Sequence, residues 1–262
     1  MALDLFSIGR FTVHGYGLMI GLGFVIGMFI ACMRAQKLGL SSDHLTNIAI
    51  YVLVIGFIGG KLLYVIVNFN QFLDNPLSVL GSGGFVVYGG IITGILSIYA
   101  YCRIKKLSFL SYMDMLCPAV AVNQGFGRIG CFLAGCCYGK ETDSCLGVVF
   151  PKGCLAPAGI KLLPTQLFSS AFDFAVAILI FCSMTKYKNR GTASGIYLLL
   201  YGVGRFIIEF FRGDDERGSV GVLSTSQFIS LFMVAFAVGY ILYSKKAAIP
   251  TEYATQATDV SE

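Results

Sequence analysis

Apolar residues run through this chain in long blocks separated by short polar connectors. Seven blocks stand out, at about 14–33, 45–67, 85–102, 109–137, 165–185, 192–211 and 224–243. A helix needs about 20 predominantly apolar residues to cross a bilayer core, and the fourth block is long enough to tilt, kink or carry a re-entrant end. The pattern predicts an all-α integral membrane protein with seven transmembrane helices in one domain, residues 1–246. Residues 138–164, rich in Gly, Pro and Cys, read as a small cap between the fourth and fifth spans. Residues 247–262 read as a polar, disordered tail. Met1–Arg10 is a short lead-in. The first block lacks the basic flank and small-residue cleavage site of a signal peptide.

Lys and Arg fix the expected orientation, because cytoplasmic connectors are enriched in them. Alternate connectors hold Arg34, Lys37, Arg103, Lys105, Lys106, Lys186, Lys188 and Arg190, and the tail adds Lys245 and Lys246. The opposite set holds Arg10, Lys140, Lys152, Lys161 and Arg217. The N-terminus and the cap are therefore expected outside and the C-terminus in the cytoplasm. Composition supports the membrane reading. Hydrophobic residues make up 56% of the chain and charged residues 13%, against about 25% charged in soluble domains, and the mean hydropathy is +0.77. The net charge of +5 is dispersed, with no basic block longer than two residues, so nucleic acid is not an expected partner.

Against this background the polar residues at membrane depth carry the chemistry. Arg128 closes the fourth block within the glycine-rich run Gly125–Lys140. A lone Arg near a bilayer centre costs roughly 2.5–3.5 kcal/mol on insertion scales. In the sixth block, Tyr201, Arg205, Glu209 and Arg212 follow one another at spacings of four, four and three, which places them on one helical face. They form either a structural ion pair or, with Arg128, a surplus of positive charge suited to a phosphate. Arg matches phosphate with its planar fork of donors. His14, at the outer edge of the first span, is either an interfacial anchor or a proton acceptor. His44 reads as a solvated residue of a cytoplasmic connector. Tyr88 precedes the pair Gly89-Gly90 and reads equally as an interfacial tyrosine. Lys61 beside Tyr64 can snorkel. Asp114 and Asp173 are buried candidates, with Asp114 close enough to the cytoplasmic end to be wet.

Of nine cysteines, Cys32, Cys102, Cys117 and Cys182 fall singly within spans, as small hydrophobes do. Cys131, Cys136, Cys137, Cys145 and Cys154 gather at or beyond the outer end of the fourth block. An outside cap allows disulfides, and a bridge among Cys136, Cys137, Cys145 and Cys154 is expected. No CxxC pair or neighbouring His points to a metal, and none is expected.

Together these pieces resemble the bacterial prolipoprotein diacylglyceryl transferase family, from about Phe6 to Tyr243. The matching residues are His14-x-Tyr16-Gly17-Leu18-Met19; Gly59-Gly60 with Tyr64; Gly89-Gly90 with Gly94; Asp114 and Pro118; Gly127-Arg128-x-Gly130 with Phe132 and Gly139; Pro164-x-Gln166-Leu167; Tyr201-Gly202 with Arg205, Glu209, Phe210, Phe211 and Arg212; and Gln227. The chain departs from the family pattern at Tyr88, where a His is usual. It departs also at Cys131, Ala134 and Cys136, where Asn, Asn and Glu are usual, and at Lys61 and Phe168-Ser169.

The resemblance implies seven helices with an outside N-terminus in the bacterial cell membrane. It implies transfer of the diacylglyceryl group of phosphatidylglycerol to the lipobox cysteine of a prolipoprotein signal peptide, with release of glycerol 1-phosphate and no cofactor. Arg128 and Arg205 would stabilise the departing phosphate, with Glu209 and Arg212 orienting them. Tyr88 or His14 would be the base. Tyr16, Tyr64, Gly89, Gly90, Gly139 and Tyr201 would contact substrate and surrounding lipid. Two other classes use the same residues: a transporter for a small organic anion, and a non-catalytic relative that binds lipid or signal peptide.

Overall fold

The computed structural model describes residues 4–8, 11–184, 189–214 and 218–247. The expected tail beyond Ala247, and Arg10, Lys186, Lys188 and Arg217 of the charge pattern, lie outside the described residues. The chain opens with an antiparallel hairpin, β1 (Asp4–Ile8) and β2 (Phe11–His14), where only a lead-in was expected. Long helices α1 (Gly15–Lys37) and α2 (Ser42–Val67) follow. Two short helices, α3 (Phe69–Asp74) and α4 (Pro76–Gly81), lead to α5 (Val87–Ile104) and α6 (Phe109–Ala134). A compact insertion carries β3 (Val148–Val149) and β4 (Lys161–Leu162). Then come α7 (Thr165–Ser183), α8 (Thr192–Glu209), the small hairpin β5 (Ser219–Val220) and β6 (Leu223–Ser224), and α9 (Thr225–Ala247).

The seven apolar blocks thus coincide with the seven long helices. Five of these, α1, α2, α5, α7 and α9, are long and apolar enough to cross a membrane, and most of their large apolar side chains lie exposed on the outer faces. The chain is a multi-pass membrane protein. The other two, α6 and α8, carry Arg128 and the Tyr201–Arg205–Glu209 stripe. Helix α6 is the hub, packed against α1, α7 and α8. Small residues let α1 and α6 meet closely, as in membrane helix pairs generally. Gly23, Gly27, Ala31 and Ala35 recur every four residues and are all buried, and a Cβ at Gly27 would fall 2.7 Å from the Ala119 carbonyl oxygen. A second pair, α2 and α5, closes over Gly56, Gly59, Gly89 and Gly90.

Asp114 is buried as a candidate should be, while His44 and Lys61 differ from the sequence expectation. Asp114 is only 2% exposed. It accepts hydrogen bonds from the backbone N–H groups of Gly191 at 2.7 Å and Ser194 at 2.8 Å, and from the Ser194 hydroxyl. A carboxylate from α6 therefore caps the N-terminus of α8, where the helix dipole favours negative charge. Replacing Asp114 with Ala is expected to cost at least about 2 kcal/mol, since hydrogen bonds to a charged group are lost in a buried place. Thermal denaturation in detergent would reveal it, and an unchanged midpoint would refute the capping role. His44 is not a solvated connector residue. It belongs to α2, with Nδ1 2.9 Å from the Tyr101 hydroxyl. Lys61 does not snorkel. Its ammonium donates to the carbonyls of Ser82 at 2.6 Å and Gly84 at 3.2 Å and sits over the Tyr64 ring, holding the segment before α5 against α2.

Candidate active site

Helices α6, α7 and α8 line a partly open cavity of about 220 Å³. Its polar lining is Arg128 from α6, Ser169 and Asp173 from α7, and Tyr201 and Arg205 from α8. Phe168, Phe172, Ile207 and Ile208 complete it. Ser169 and Asp173 stand four apart on α7, as Tyr201 and Arg205 do on α8, so each helix turns one polar strip to the same space.

The three arginines are in different electrostatic states. Arg205 donates to the Ser226 hydroxyl at 2.8 Å and pairs with Glu209 at 2.9 Å. Glu209 is also 3.9 Å from Arg212. Arg212 is 8% exposed and makes a two-point contact with Asp214, Nε to Oδ1 being 3.0 Å. Two carboxylates therefore answer Arg205 and Arg212. Arg128 forms no ion pair with a described residue, and its electrostatic neighbours include Tyr201, Cys131, Cys137 and Asp173. The surplus positive charge expected from the sequence is thus concentrated on Arg128. Asp214 was missed because it opens the acidic run Asp214-Asp215-Glu216, which reads as a solvated loop.

Asp173 is 4% exposed, and its Oδ2 has no hydrogen-bond partner among the described residues. A buried, unpartnered carboxylate oxygen is costly and calls for an explanation. The sequence did hold a signal, since Asp173 is the one charged residue in the whole of α7.

A second, open cleft of about 400 Å³ lies beyond Glu209, lined by Lys140, Arg212, Asp214, Ser224 and Gln227 among others. Gly139 sits at its edge. The Gly139 N–H donates to the Leu163 carbonyl at 2.8 Å and Lys140 N–H to Phe211 at 2.9 Å, while Gly213 N–H returns to Tyr138 at 3.1 Å. The insertion is thereby laced to the segment carrying Arg212. A Cβ at Gly139 would fall 2.7 Å from the Leu163 Cβ and carbonyl oxygen, so this approach needs glycine. The insertion has its own core of Phe150, Ala156 and Leu162, with Phe132 and Tyr138 packed on it. Thr165 and Gln166, each 1% exposed, anchor its first turn through the Cys137 and Cys136 carbonyls at 2.9 and 2.7 Å.

The remaining expected residues are spread out. Tyr16 packs against Gly130, and Arg128 is among its electrostatic neighbours. His14 immediately precedes α1. Tyr88 is 52% exposed at the start of α5. Gly89 and Gly90 form the α2–α5 contact, and Tyr64 lies against Gly84. Neither His14 nor Tyr88 lines the cavity. All nine cysteines are unbridged, against the expected disulfide. The sulfurs that do meet are those of Cys131, Cys136 and Cys137.

A bundle of long apolar helices with an arginine-bearing cavity on its flank defines a multi-pass membrane protein. Residues 4–243 match the sequence profile of prolipoprotein diacylglyceryl transferase, and the chain belongs to that family of membrane transferases. It is 47% identical over 236 residues to the phosphatidylglycerol–prolipoprotein diacylglyceryl transferase of Clostridium tetani, covering 89% of this chain and 94% of the relative. It is 44% identical over 247 residues to the enzyme named phosphatidylglycerol–prolipoprotein diacylglyceryl transferase 2 in Clostridium perfringens, covering 93% and 95%. Identity to the Clostridioides difficile transferase is 31% over 249 residues, covering 94% and 96%.

Proposed function

We propose that this chain transfers the diacylglyceryl group of phosphatidylglycerol to a prolipoprotein, at the lipobox cysteine of its signal peptide. The observation that carries the reading is the cavity that unites Arg128, Arg205, Tyr201 and Asp173 in a member of this family. The sulfur attacks the glyceryl carbon that bears the phosphate. A carbon–sulfur bond forms, the carbon–oxygen bond breaks, and glycerol 1-phosphate leaves. Arg128, without a direct ion pair among the described residues, meets the phosphate oxygens. Arg205, braced by Glu209 and Ser226, supplies the second fork of donors. Charge developing on the leaving group in a site poor in water is where such donors act most strongly. The Tyr201 hydroxyl is placed for a glyceryl or head-group oxygen. The thiol must lose its proton to become a nucleophile, and Asp173 is the carboxylate at hand in the cavity.

The same reading places the enzyme in the bacterial cell membrane with seven spans. Helices α6 and α8, about 39 and 27 Å long at 1.5 Å per residue, cross as the fourth and sixth spans, shielded by the other five. The N-terminus and the insertion face outward and the C-terminus faces the cytoplasm, following the distribution of Lys and Arg. An experiment with purified protein tests the reading directly. Labelled phosphatidylglycerol and a lipobox peptide should yield thioether-linked diacylglyceryl peptide and an equal amount of glycerol 1-phosphate. Lipid left intact, with anion uptake into liposomes instead, would support a transporter. In intact cells, an impermeant thiol reagent should modify Cys145 from outside and spare an Asn189→Cys variant; the opposite pattern inverts the orientation.

A further inference from the structure

Cys131 lies in the last turn of α6, and the helix stops three residues later. Gly135 adopts φ +75°, the left-handed conformation that ends many helices. The Gly135 N–H bonds to the Phe132 carbonyl at 3.2 Å and the Cys136 N–H to the Cys131 carbonyl at 3.1 Å. This paired 5→2 and 6→1 closure folds the chain back so that Cys136 returns over Cys131. Cys137 is then held at φ +59°, a conformation that a non-glycine residue rarely adopts. Its carbonyl is fixed by Thr165 and that of Cys136 by Gln166. The result is three thiols, on a helix end and a pinned turn, whose sulfurs all lie within 4.8 Å of one another. Backbone strain of this kind persists where the surroundings over-determine it, and it clusters at functional sites.

From this convergence we infer that Cys131, Cys136 and Cys137 form a three-thiolate binding site for a soft, thiophilic cation of the zinc class. Zinc binds thiolate at about 2.3 Å, which sets neighbouring sulfurs about 3.8 Å apart in a tetrahedral site. The sulfurs need close by no more than about an ångström to reach that spacing. Three thiolates are soft ligands that select such ions over magnesium or calcium, and a zinc ion with three of them carries a net charge of −1. Arg128 and Arg212 are electrostatic neighbours of Cys137, so an anionic cluster is matched by guanidinium charge that a bare cation would find repulsive. Three protein ligands leave the fourth position to an exogenous group, water or a thiol. The site also ties the last turn of α6 to the first turn of the insertion, beside the strand through Gly139 that braces Arg212. The assignment stands apart from the transfer reaction and survives its failure.

Purified, reduced full-length protein in detergent should bind one equivalent of Co²⁺ with sulfur-to-cobalt charge-transfer absorption, displaced by Zn²⁺. The absorption should vanish in Cys131→Ser, Cys136→Ser and Cys137→Ser and persist in Cys145→Ser and Cys154→Ser. Because a serine variant can lose its fold, the wild type provides an independent arm. Zn²⁺ should slow alkylation of Cys131, Cys136 and Cys137 at least about tenfold, read by mass spectrometry, while leaving exposed Cys145 unchanged. The inference is overturned if reduced wild-type protein shows no thiolate–cobalt absorption, if Cys145 or Cys154 is needed for it, or if two of the three thiols are joined as a disulfide in native membranes.

Discussion

Replacing Arg128 with Ala is expected to lower diacylglyceryl transfer by at least about 100-fold, with little loss of fold. Removing one preorganised donor to developing negative charge costs about 10²–10³ in rate in other active sites. The stability side of the argument follows from its partners. Arg128 has no ion pair among the described residues, and Asp173, its carboxylate neighbour, keeps Arg205 as a second cationic neighbour when Arg128 is removed. Arg205 differs, because its pairing with Glu209 at 2.9 Å is lost on truncation, and unpaired buried charge costs about 3–5 kcal/mol. Arg205→Ala should therefore lose both rate and melting temperature. Lysine at either place keeps the charge and loses the planar fork. Arg128→Lys and Arg205→Lys should remain folded and fall at least about tenfold in transfer, roughly 1.4 kcal/mol of barrier. Lys105→Ala, exposed beyond the end of α5, serves as the control. Transfer at wild-type rates by folded Arg128→Ala protein would remove this residue from the phosphate site.

The parts legible in the sequence were those written in local periodicity. Seven apolar blocks became seven long helices because a run of about 20 apolar residues has few other ways to satisfy its backbone in lipid. The Tyr201–Arg205–Glu209 stripe was legible because four-residue spacing is a helical face. Arg128 and Arg205 were read together, and they line one cavity. Other parts depend on distant pairings. Asp214 lies only two residues past Arg212, but its pairing is fixed by the insertion from residues 138–164, which laces to this segment through Lys140 and Gly213. The approach of Cys131 to Cys136 and Cys137 depends on the left-handed turn at Gly135, and the Gly135 signal was present but its consequence for the sulfurs was not. The short helices α3 and α4 were hidden in a connector, although Asn75-Pro76 carries a start signal: Asn75 accepts from Ser78 N–H at 3.2 Å, with Pro76 at the first helical position. Asp114 was a buried candidate whose nearness to the helix end left water access open, and it is dry because α8 begins against it.

Asp173→Asn is expected to separate chemistry from stability more sharply than any other change. The Asp173 carboxylate is buried, borders the cavity with Arg128 and Arg205, and leaves Oδ2 without a hydrogen-bond partner among the described residues. A buried group in that condition lowers stability, so a neutral amide of the same shape should leave the melting temperature unchanged or raise it. Catalytically the change removes the one carboxylate among the cavity's lining residues, and general-base contributions are typically 10²–10⁴-fold. Transfer should fall by about 100-fold or more. The sign of the pH effect follows from the role. A carboxylate that must be ionised to take the thiol proton makes the wild-type rate rise with pH until it is deprotonated, and that limb should be absent in Asp173→Asn. A structural role predicts the reverse pair of results: a lowered melting temperature, with transfer and its pH profile intact. If instead the acidic limb survives in Asp173→Asn and disappears in His14→Gln or Tyr88→Phe, the proton acceptor enters the cavity from α1 or α5, and Asp173 serves only to balance the charge of Arg128.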